Sequence, residues 1–363
     1  MAKAQSKTEE PIEKVLWATA NKLRKNIDAA EYKHVVLGLI FLRYISDSFE
    51  YLYNKLESGE GDYAGADPED KDEYRAENVF FVPANARWNY LQNNAKNPEI
   101  GKLIDAAMDA IEVENQPLKG VLPKVYAKGN LDVNNLGGLI DIISNISFGE
   151  SKERTADLLG HVFEYFLGEF ARDEGKKGGE FYTPRSVVEL LVAMLEPYKG
   201  RVMDPCCGSG GMFVQSLKFL ESHGGDKRNI AIYGQERYDG TLRLCKMNLA
   251  LRDLSFDVRL GDSLLNDQFP DLKADYIIVN PPFNVSQWHP EDLPENDPRL
   301  FGPKEEFATD GNANFMWMQT FWSHLSNKGT ASVVMANGAM TSNNKGEKNV
   351  REFMVNNSMI DCI

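Results

Sequence analysis

From about residue 200 onward, short apolar runs alternate with segments of helical periodicity, and this alternation constrains the fold more than any other feature. The runs are Val202–Met203, Ile230–Tyr233, Phe256–Leu260, Tyr276–Val279 and Ser332–Met335. A strand that is apolar on both sides needs cover on both sides, which is the condition of a parallel sheet with crossover helices. The pattern predicts an α/β domain with a doubly wound, Rossmann-like sheet. Ligands of such sheets bind at the carboxyl ends of the strands. The residues that follow each run are therefore the ones to read for chemistry.

The first part of the chain reads differently. From Ile12 to Leu56 apolar residues recur at helical spacing, with Val36, Leu37, Ile40, Phe41 and Tyr44 forming one stripe. The acidic, glycine-bearing stretch Gly59 to Glu73 reads as a solvated loop. Helical patterns resume from Pro98 to Ala110 and from Leu136 to Ile143, and no internal repeat is visible. No long strand signal precedes residue 150, so residues 1–150 are expected to form a mostly α-helical N-terminal domain and residues 151–363 the α/β domain. A chain of 363 residues suffices for both, since single cores stop growing beyond about 250–300 residues. Between the two, Thr155 to Phe170 is amphipathic, with Leu158, Leu159, Val162, Phe163 and Phe166 on one face. A Gly/Lys-rich loop, Asp173 to Glu180, follows. A helix then runs from about Pro184 to Leu195, its proline sitting where a missing N–H costs little.

Charge and cysteines exclude some classes. The formal net charge is -14, and the chain has no helix-turn-helix, zinc-finger or long basic pattern. An acidic chain of this kind is poorly suited to hold phosphates over a large surface. Cys206, Cys207, Cys245 and Cys362 show no metal-ligand spacing, so no metal site is expected. Adjacent Cys206 and Cys207 make a poor disulfide, and a reduced cytoplasm is the simplest setting. There is no signal-peptide pattern, and no apolar run reaches the roughly 18 residues of a membrane span. A cytoplasmic protein with no membrane contact is expected.

The strand ends carry the chemistry. After the first run comes Asp204-Pro205-Cys206-Cys207-Gly208-Ser209-Gly210-Gly211. Its glycines allow a tight turn and close approach of a ligand to the backbone, and Asp204 can accept a hydrogen bond from a cationic group. Dinucleotide enzymes use such a turn too, so alone it is only moderately specific. After the second run comes Glu236, an acid placed to take both hydroxyls of a ribose. After the third comes Asp262, which can accept from the amino group of a bound adenine or, equally, cap a helix.

After the fourth run comes Asn280-Pro281-Pro282-Phe283, the most specific signal in the chain. The exocyclic amine of adenine is a poor nucleophile because its lone pair is delocalised into the ring. The side-chain oxygen of Asn280 and the carbonyl of Pro281 can accept its two hydrogens and aim the lone pair at an electrophilic methyl group. Pro281 and Pro282 stiffen the turn. Phe283 offers a face on which a flipped-out base can stack. This is catalysis by positioning and preorganised polar groups. Cytosine C5 chemistry would need a cysteine nucleophile, but Cys206 and Cys207 lie in the glycine turn instead.

Together these residues resemble the S-adenosylmethionine-dependent amino-methyltransferases. Gly179-Glu180-Phe181-Tyr182-Thr183-Pro184-Arg185, ahead of the glycine turn, is similar to the cofactor-contacting motif that comes first in the gamma arrangement of adenine methyltransferases. Asp157-Leu158-Leu159-Gly160, Glu164-Tyr165-Phe166-Leu167 and Gly311-Asn312-Ala313-Asn314-Phe315 resemble the modification subunits of type I restriction–modification systems, as does the helical first domain. The resemblance covers nearly the whole chain. It implies a Rossmann-like methyltransferase domain, with S-adenosylmethionine held by Glu180, Phe181, Tyr182, Thr183, Pro184, Arg185, Asp204, Gly208, Ser209, Gly210, Glu236 and Asp262. Catalysis would lie with Asn280, Pro281, Pro282 and Phe283. The substrate would be double-stranded DNA with a flipped adenine. The implied partners are a specificity subunit bridging two copies of the modification subunit, and a restriction subunit.

Two segments remain open. Asn284 to Asp310 is either a loop over the target base, with Trp288 stacking on it, or a solvated loop. Met359–Ile363 reads as the beginning of another strand where family members continue, so a truncated C-terminal end is expected. Two other functions fit parts of the pattern. One is a protein glutamine N5-methyltransferase, which also uses an Asn-Pro-Pro turn; Phe283 and the helical first domain argue against it. The other is a non-catalytic DNA-clamp or assembly subunit, against which the intact turns argue.

Overall fold

The computed structural model describes residues 11–24, 27–128, 131–145, 152–175, 183–252, 254–308 and 311–363. The chain forms two compact units, Met1–Tyr182 with Lys246–Asp253, and Thr183–Cys245 with Leu254–Ile363.

The first unit is helical: α1 Ile12–Leu23, α2 Ala29–Ser58, α3 Lys71–Ala76, α4 Trp88–Asn93, α5 Ile100–Glu114, α6 Val133–Ser144 and α7 Lys152–Gly175. Val36, Leu37, Ile40, Phe41 and Tyr44 on α2 are all buried, as the stripe predicts. The stretch read as a loop contains a short 3-10 turn, Gly61–Tyr63, and the start of α3, which Asp70 caps by accepting from the Asp72 N–H. On α7, Val162, Phe163 and Phe166 are buried. Trp17 of α1 meets Phe166 and Phe170 of α7 edge-on at 5.2 and 4.7 Å. These apolar contacts join α7 to the N-terminal helices, so the first unit runs past residue 150 to Tyr182. The boundary expected at residues 150–151 itself falls outside the described residues.

The second unit is built on a sheet. Its elements are α8 Arg185–Leu195, β1 Gly200–Asp204, α9 Gly211–Ser222, β2 Ile230–Glu236, α10 Asp239–Ala250 as far as Cys245, β3 Phe256–Leu260, β4 Ala274–Val279, α11 Lys304–Phe307, α12 Asn314–His324, β5 Leu325–Val333 and α13 Lys345–Asn356. The strand order is β3-β2-β1-β4-β5, every pair parallel. Ile277 and Val279 pack with Met316, Trp317 and Phe321 of α12 on one face. Ile278 points the other way by the alternation of a strand and is equally buried. Four of the five expected runs become strands in place. The fifth is shifted: β5 begins at Leu325, which pairs with Ala274, and pairs regularly with β4 again from Thr330 after an irregularity, the polar residues between being tolerated in an edge strand. Met359–Ile363 forms no strand. Among the described residues no helix is long and apolar enough to cross a membrane.

Candidate active site

The sheet order makes β1 the point where the winding reverses, and ligands of such sheets bind beyond the strand ends there, between β1 and β4. Every strand-end candidate lies along this carboxyl edge. Reading from β3 to β4, the edge presents Asp262, Glu236, the Asp204–Gly210 turn and Asn280–Phe283.

The β1 turn is tight for local reasons. Asp204 accepts from the Cys206 N–H at 3.0 Å, the Gly210 N–H reaches the Cys207 carbonyl at 2.9 Å, and α9 starts at Gly211. Gly208 and Gly210 both have left-handed backbones, with φ of +54° and +82°. Nothing stands within 4 Å of where a Gly208 side chain would begin. A ligand can therefore lie directly on this backbone, and a Cβ would intrude into that space. Cys207 is buried, its sulfur 3.9 Å from that of Cys245. It packs the turn, and this thiol contact together with burial pushes its pKa up, away from nucleophilic use.

Two buried carboxylates border this backbone. Asp204 is 2% exposed. Burial, joined by the charge of Glu236, pushes its pKa up to about 7 despite the bond from Cys206. A cationic group arriving here would relieve that cost. Glu236 accepts from the Gly208 N–H at 3.0 Å and the Tyr238 N–H at 2.8 Å, one bond to each oxygen. These two bonds fix the orientation of its carboxylate. Asp262 accepts from the Leu264 N–H at 3.0 Å and lies 3.4 Å from the Arg237 guanidinium. It caps a turn; no helix starts there.

Asn280 follows β4. Its amide Nδ2 donates to the Thr183 hydroxyl at 2.9 Å. Its Oδ1 is buried and has no hydrogen-bond partner among the described residues. A buried acceptor left unpaired costs about 1–3 kcal/mol, and this one sits at the carboxyl end of β4. Phe283 is 37% exposed, an uncommon state for a large aromatic ring in a packed turn.

Of the expected upstream motif, Glu180, Phe181 and Tyr182 lie outside the described residues. Thr183 meets Asn280. Pro184 caps α8, and Arg185 is an exposed side chain paired with Glu189 at 2.7 Å. The Thr183–Asn280 bond was not readable from sequence, since it joins residues 97 positions apart.

Neither alternative for Asn284–Asp310 survives for Trp288. It is 3% exposed and packs in the core with Ile277, Val279 and Trp317. The segment is anchored at Trp288, Leu293, Asp297 and Arg299, which are buried, while most of its other described residues are exposed. Arg299 is buried, pairs with Asp297 at 2.7 Å, and donates to the carbonyls of Ser263 and Leu264 at 2.8 and 2.7 Å. Ser263 in turn donates to the Pro205 carbonyl, so the turns after β1 and β3 are tied to this segment.

Comparison with known proteins agrees with this geometry. The N-6 DNA Methylase family model matches residues 154–363, and the HsdM N-terminal domain model matches residues 12–143. The type I restriction enzyme MjaIX methylase subunit of Methanocaldococcus jannaschii is 41% identical over 364 residues, covering 96% of this chain and 65% of that protein. The HindI methylase subunit of Haemophilus influenzae is 40% identical over 303 residues, covering 78% of this chain and 67% of that protein. The chain thus spans about two thirds of the length of these relatives. In fold, it is similar to the type I restriction-modification methyltransferase subunit of Streptococcus thermophilus, with a TM-score of 0.81 and 20% identity over 96% of this chain and 79% of that one. The chain belongs to the N-6 DNA methylase family, among the methylase subunits of type I restriction enzymes.

Proposed function

We propose that this chain transfers a methyl group from S-adenosylmethionine to adenine N6 in duplex DNA, as the modification subunit of a type I restriction–modification enzyme. The observation that carries the reading is the buried, unpartnered Oδ1 of Asn280 at the end of β4. The division into a helical domain, residues 1–150, and a methyltransferase domain, residues 151–363, belongs to the same proposal.

S-adenosylmethionine supplies the electrophilic methyl when bound. The open Gly208 backbone and the buried carboxylates fit such a molecule. Gly208, Ser209 and Gly210 line its bed; Glu236 accepts from the ribose, Asp262 from the adenine amine, and Asp204 from the cationic amino-acid end. By the resemblance, Glu180, Phe181, Tyr182, Thr183, Pro184 and Arg185 also belong to the cofactor-binding set. Thr183 fixes the Asn280 amide so that nitrogen faces the hydroxyl and oxygen faces the target. Asn280 Oδ1 and the Pro281 carbonyl then accept the two hydrogens of the adenine amine, and the lone pair is left to attack. Pro282 holds the turn, and Phe283 stacks on the extruded base. Preorganised acceptors of this kind act without reorganising at the moment of reaction.

Sequence reading is assigned to a specificity subunit bridging two copies of this chain, with a restriction subunit added to that complex. The net charge of -14 supports this division, since the chain alone offers little for phosphates. The glutamine-methylating alternative is disfavoured by the match of residues 12–143 to the HsdM N-terminal domain. The test is incubation with labelled S-adenosylmethionine and either duplex DNA plus the specificity partner, or a translation release factor. Label on adenine N6 is expected. Label on the release factor and none on DNA would overturn the proposal. Gel-shift titration of the chain alone should show weak, salt-sensitive binding without site preference, and tight site-selective binding would refute the partner assignment.

A further inference from the structure

Gly311–Phe315 stands out in the sequence, yet the chemistry described above uses none of its side chains. The structure connects it to the catalytic turn. Asn284, directly after Phe283, has a left-handed backbone with φ of +54°. Side-chain-bearing residues seldom adopt this conformation, and asparagine is among the more tolerant. Two bonds hold it there. Its N–H donates to Asn314 Oδ1 at 2.9 Å, and its own Oδ1 accepts from Asn314 Nδ2 at 2.9 Å. Asn314 is 4% exposed, so this side of both bonds is shielded from solvent.

Asn314 is itself held. Its N–H donates to Asn312 Oδ1 at 2.9 Å, and Asn312 Nδ2 donates to Glu347 Oε1 at 2.7 Å. Glu347 is a buried carboxylate on α13. The Ala313 N–H also reaches the Val285 carbonyl at 3.0 Å, one residue past Asn284. A continuous hydrogen-bonded path therefore runs from α13 to the residue that follows Phe283.

We infer that Asn314 is a positioning residue for methylation: by locking Asn284 in its left-handed conformation it sets where the Phe283 ring stands for the extruded base. An apolar, half-exposed ring has no polar group that can aim it. Its direction is dictated by the backbone on either side. Thr183 tethers the turn through Asn280 at one end, and Asn314 tethers it through Asn284 at the other. Without Asn314, Asn284 relaxes toward negative φ and the ring swings with it. The inference rests on the reading of Asn280–Phe283 as the methylating turn.

The test uses the chain reconstituted with its specificity partner and a duplex carrying 2-aminopurine at the target adenine. Stacking on Phe283 quenches the emission of an extruded 2-aminopurine. Asn314→Ala should raise that emission as Phe283→Ala does, and should add nothing in the Phe283→Ala background. On unlabelled target DNA it should lower kcat roughly ten- to hundredfold, the scale of an ångström-sized misplacement, with S-adenosylmethionine affinity unchanged in calorimetry. Asn284→Ala and Asn314→Ala should be non-additive, because each breaks the same contact. Asn284→Gly, which reaches positive φ freely, should turn over faster than Asn284→Ala. If Asn314→Ala fails to fold, Asn314→Asp keeps the acceptor facing the Asn284 N–H and should give an intermediate kcat and emission. Wild-type kcat and emission in the Asn314 variants, or additive effects in the double variant, would overturn the inference. An inactive wild-type protein would instead overturn the proposed methylation, so the two failures are distinguishable.

Discussion

Replacing Asp204 with asparagine should make the protein more stable and less able to bind its cofactor. In the folded chain, burial and the nearby charge of Glu236 hold the Asp204 carboxyl at about 7, against an ordinary value of 3.8. A carboxyl raised in this way contributes stability that is complete below its unfolded value and is lost as pH rises through about 7. At about 1.4 kcal/mol per pH unit, the loss by pH 8 amounts to about 4 kcal/mol. Asp204→Asn keeps an oxygen for the Cys206 N–H and cannot ionise. It should therefore gain up to about 4 kcal/mol over wild type at pH 8 and little at pH 4. Cofactor binding runs the other way. A cationic ligand pairs with the ionised carboxylate, which is about a tenth of the population at pH 6 and half at pH 7 for a group titrating at about 7. Wild-type affinity for S-adenosylmethionine should thus rise about fivefold from pH 6 to pH 7. In the variant this dependence should vanish and affinity should be weaker at both. Urea titrations at pH 4 and 8, with calorimetry at pH 6 and 7, measure both effects. A variant less stable than wild type at pH 8, or wild-type binding indifferent to pH, would refute the reasoning.

The remaining predictions concern the other strand ends. Glu236→Ala should weaken S-adenosylmethionine by about 1.5–3 kcal/mol, the range for a hydrogen bond to a charged group, and calorimetry should show Asn280→Ala nearly unaffected. Asn280→Ala should abolish turnover without lowering the melting temperature much. It removes a bond to Thr183 but also a buried unpaired oxygen, which by itself costs about 1–3 kcal/mol; methyl transfer at the wild-type rate would sink the mechanism. Phe283→Ala should impair capture of the extruded base by roughly 1–3 kcal/mol, and Phe283→Trp should be milder because it keeps an aromatic face. Equal losses in the two variants, read from KM for DNA, would argue against stacking.

The strands and their chemistry were legible because each signal is local. An apolar run such as Tyr276–Val279 followed by Asn280-Pro281-Pro282-Phe283 contains both the strand and its terminal turn within eight residues. Glycine positions were legible for the same reason: Gly208 and Gly210 have the positive φ that a tight turn of this kind requires. The edge strand β5 was only half legible, since polar Ser326–Lys328 interrupt its apolar pattern and Leu325 and Thr330 join it only by pairing with β4. Trp288, expected either to stack on the target base or to sit in a solvated loop, is in the core, because a segment rich in Pro and charge resembles a loop whatever it packs against. Only folding showed that Asp297 and Arg299 bury together and carry Trp288 into the core.

By itself, then, the sequence determined the residue types at the strand ends, the parallel sheet and the family, all of which are encoded in short contiguous patterns. The tertiary structure alone decided what those residues do to one another. Thr183 turns the Asn280 amide, Glu236 grips the Gly208 backbone, and Asn314 locks Asn284, across separations of 97, 28 and 30 residues. A hydrogen bond depends on distance in space and on desolvation, and neither is written in the spacing of residues along a chain.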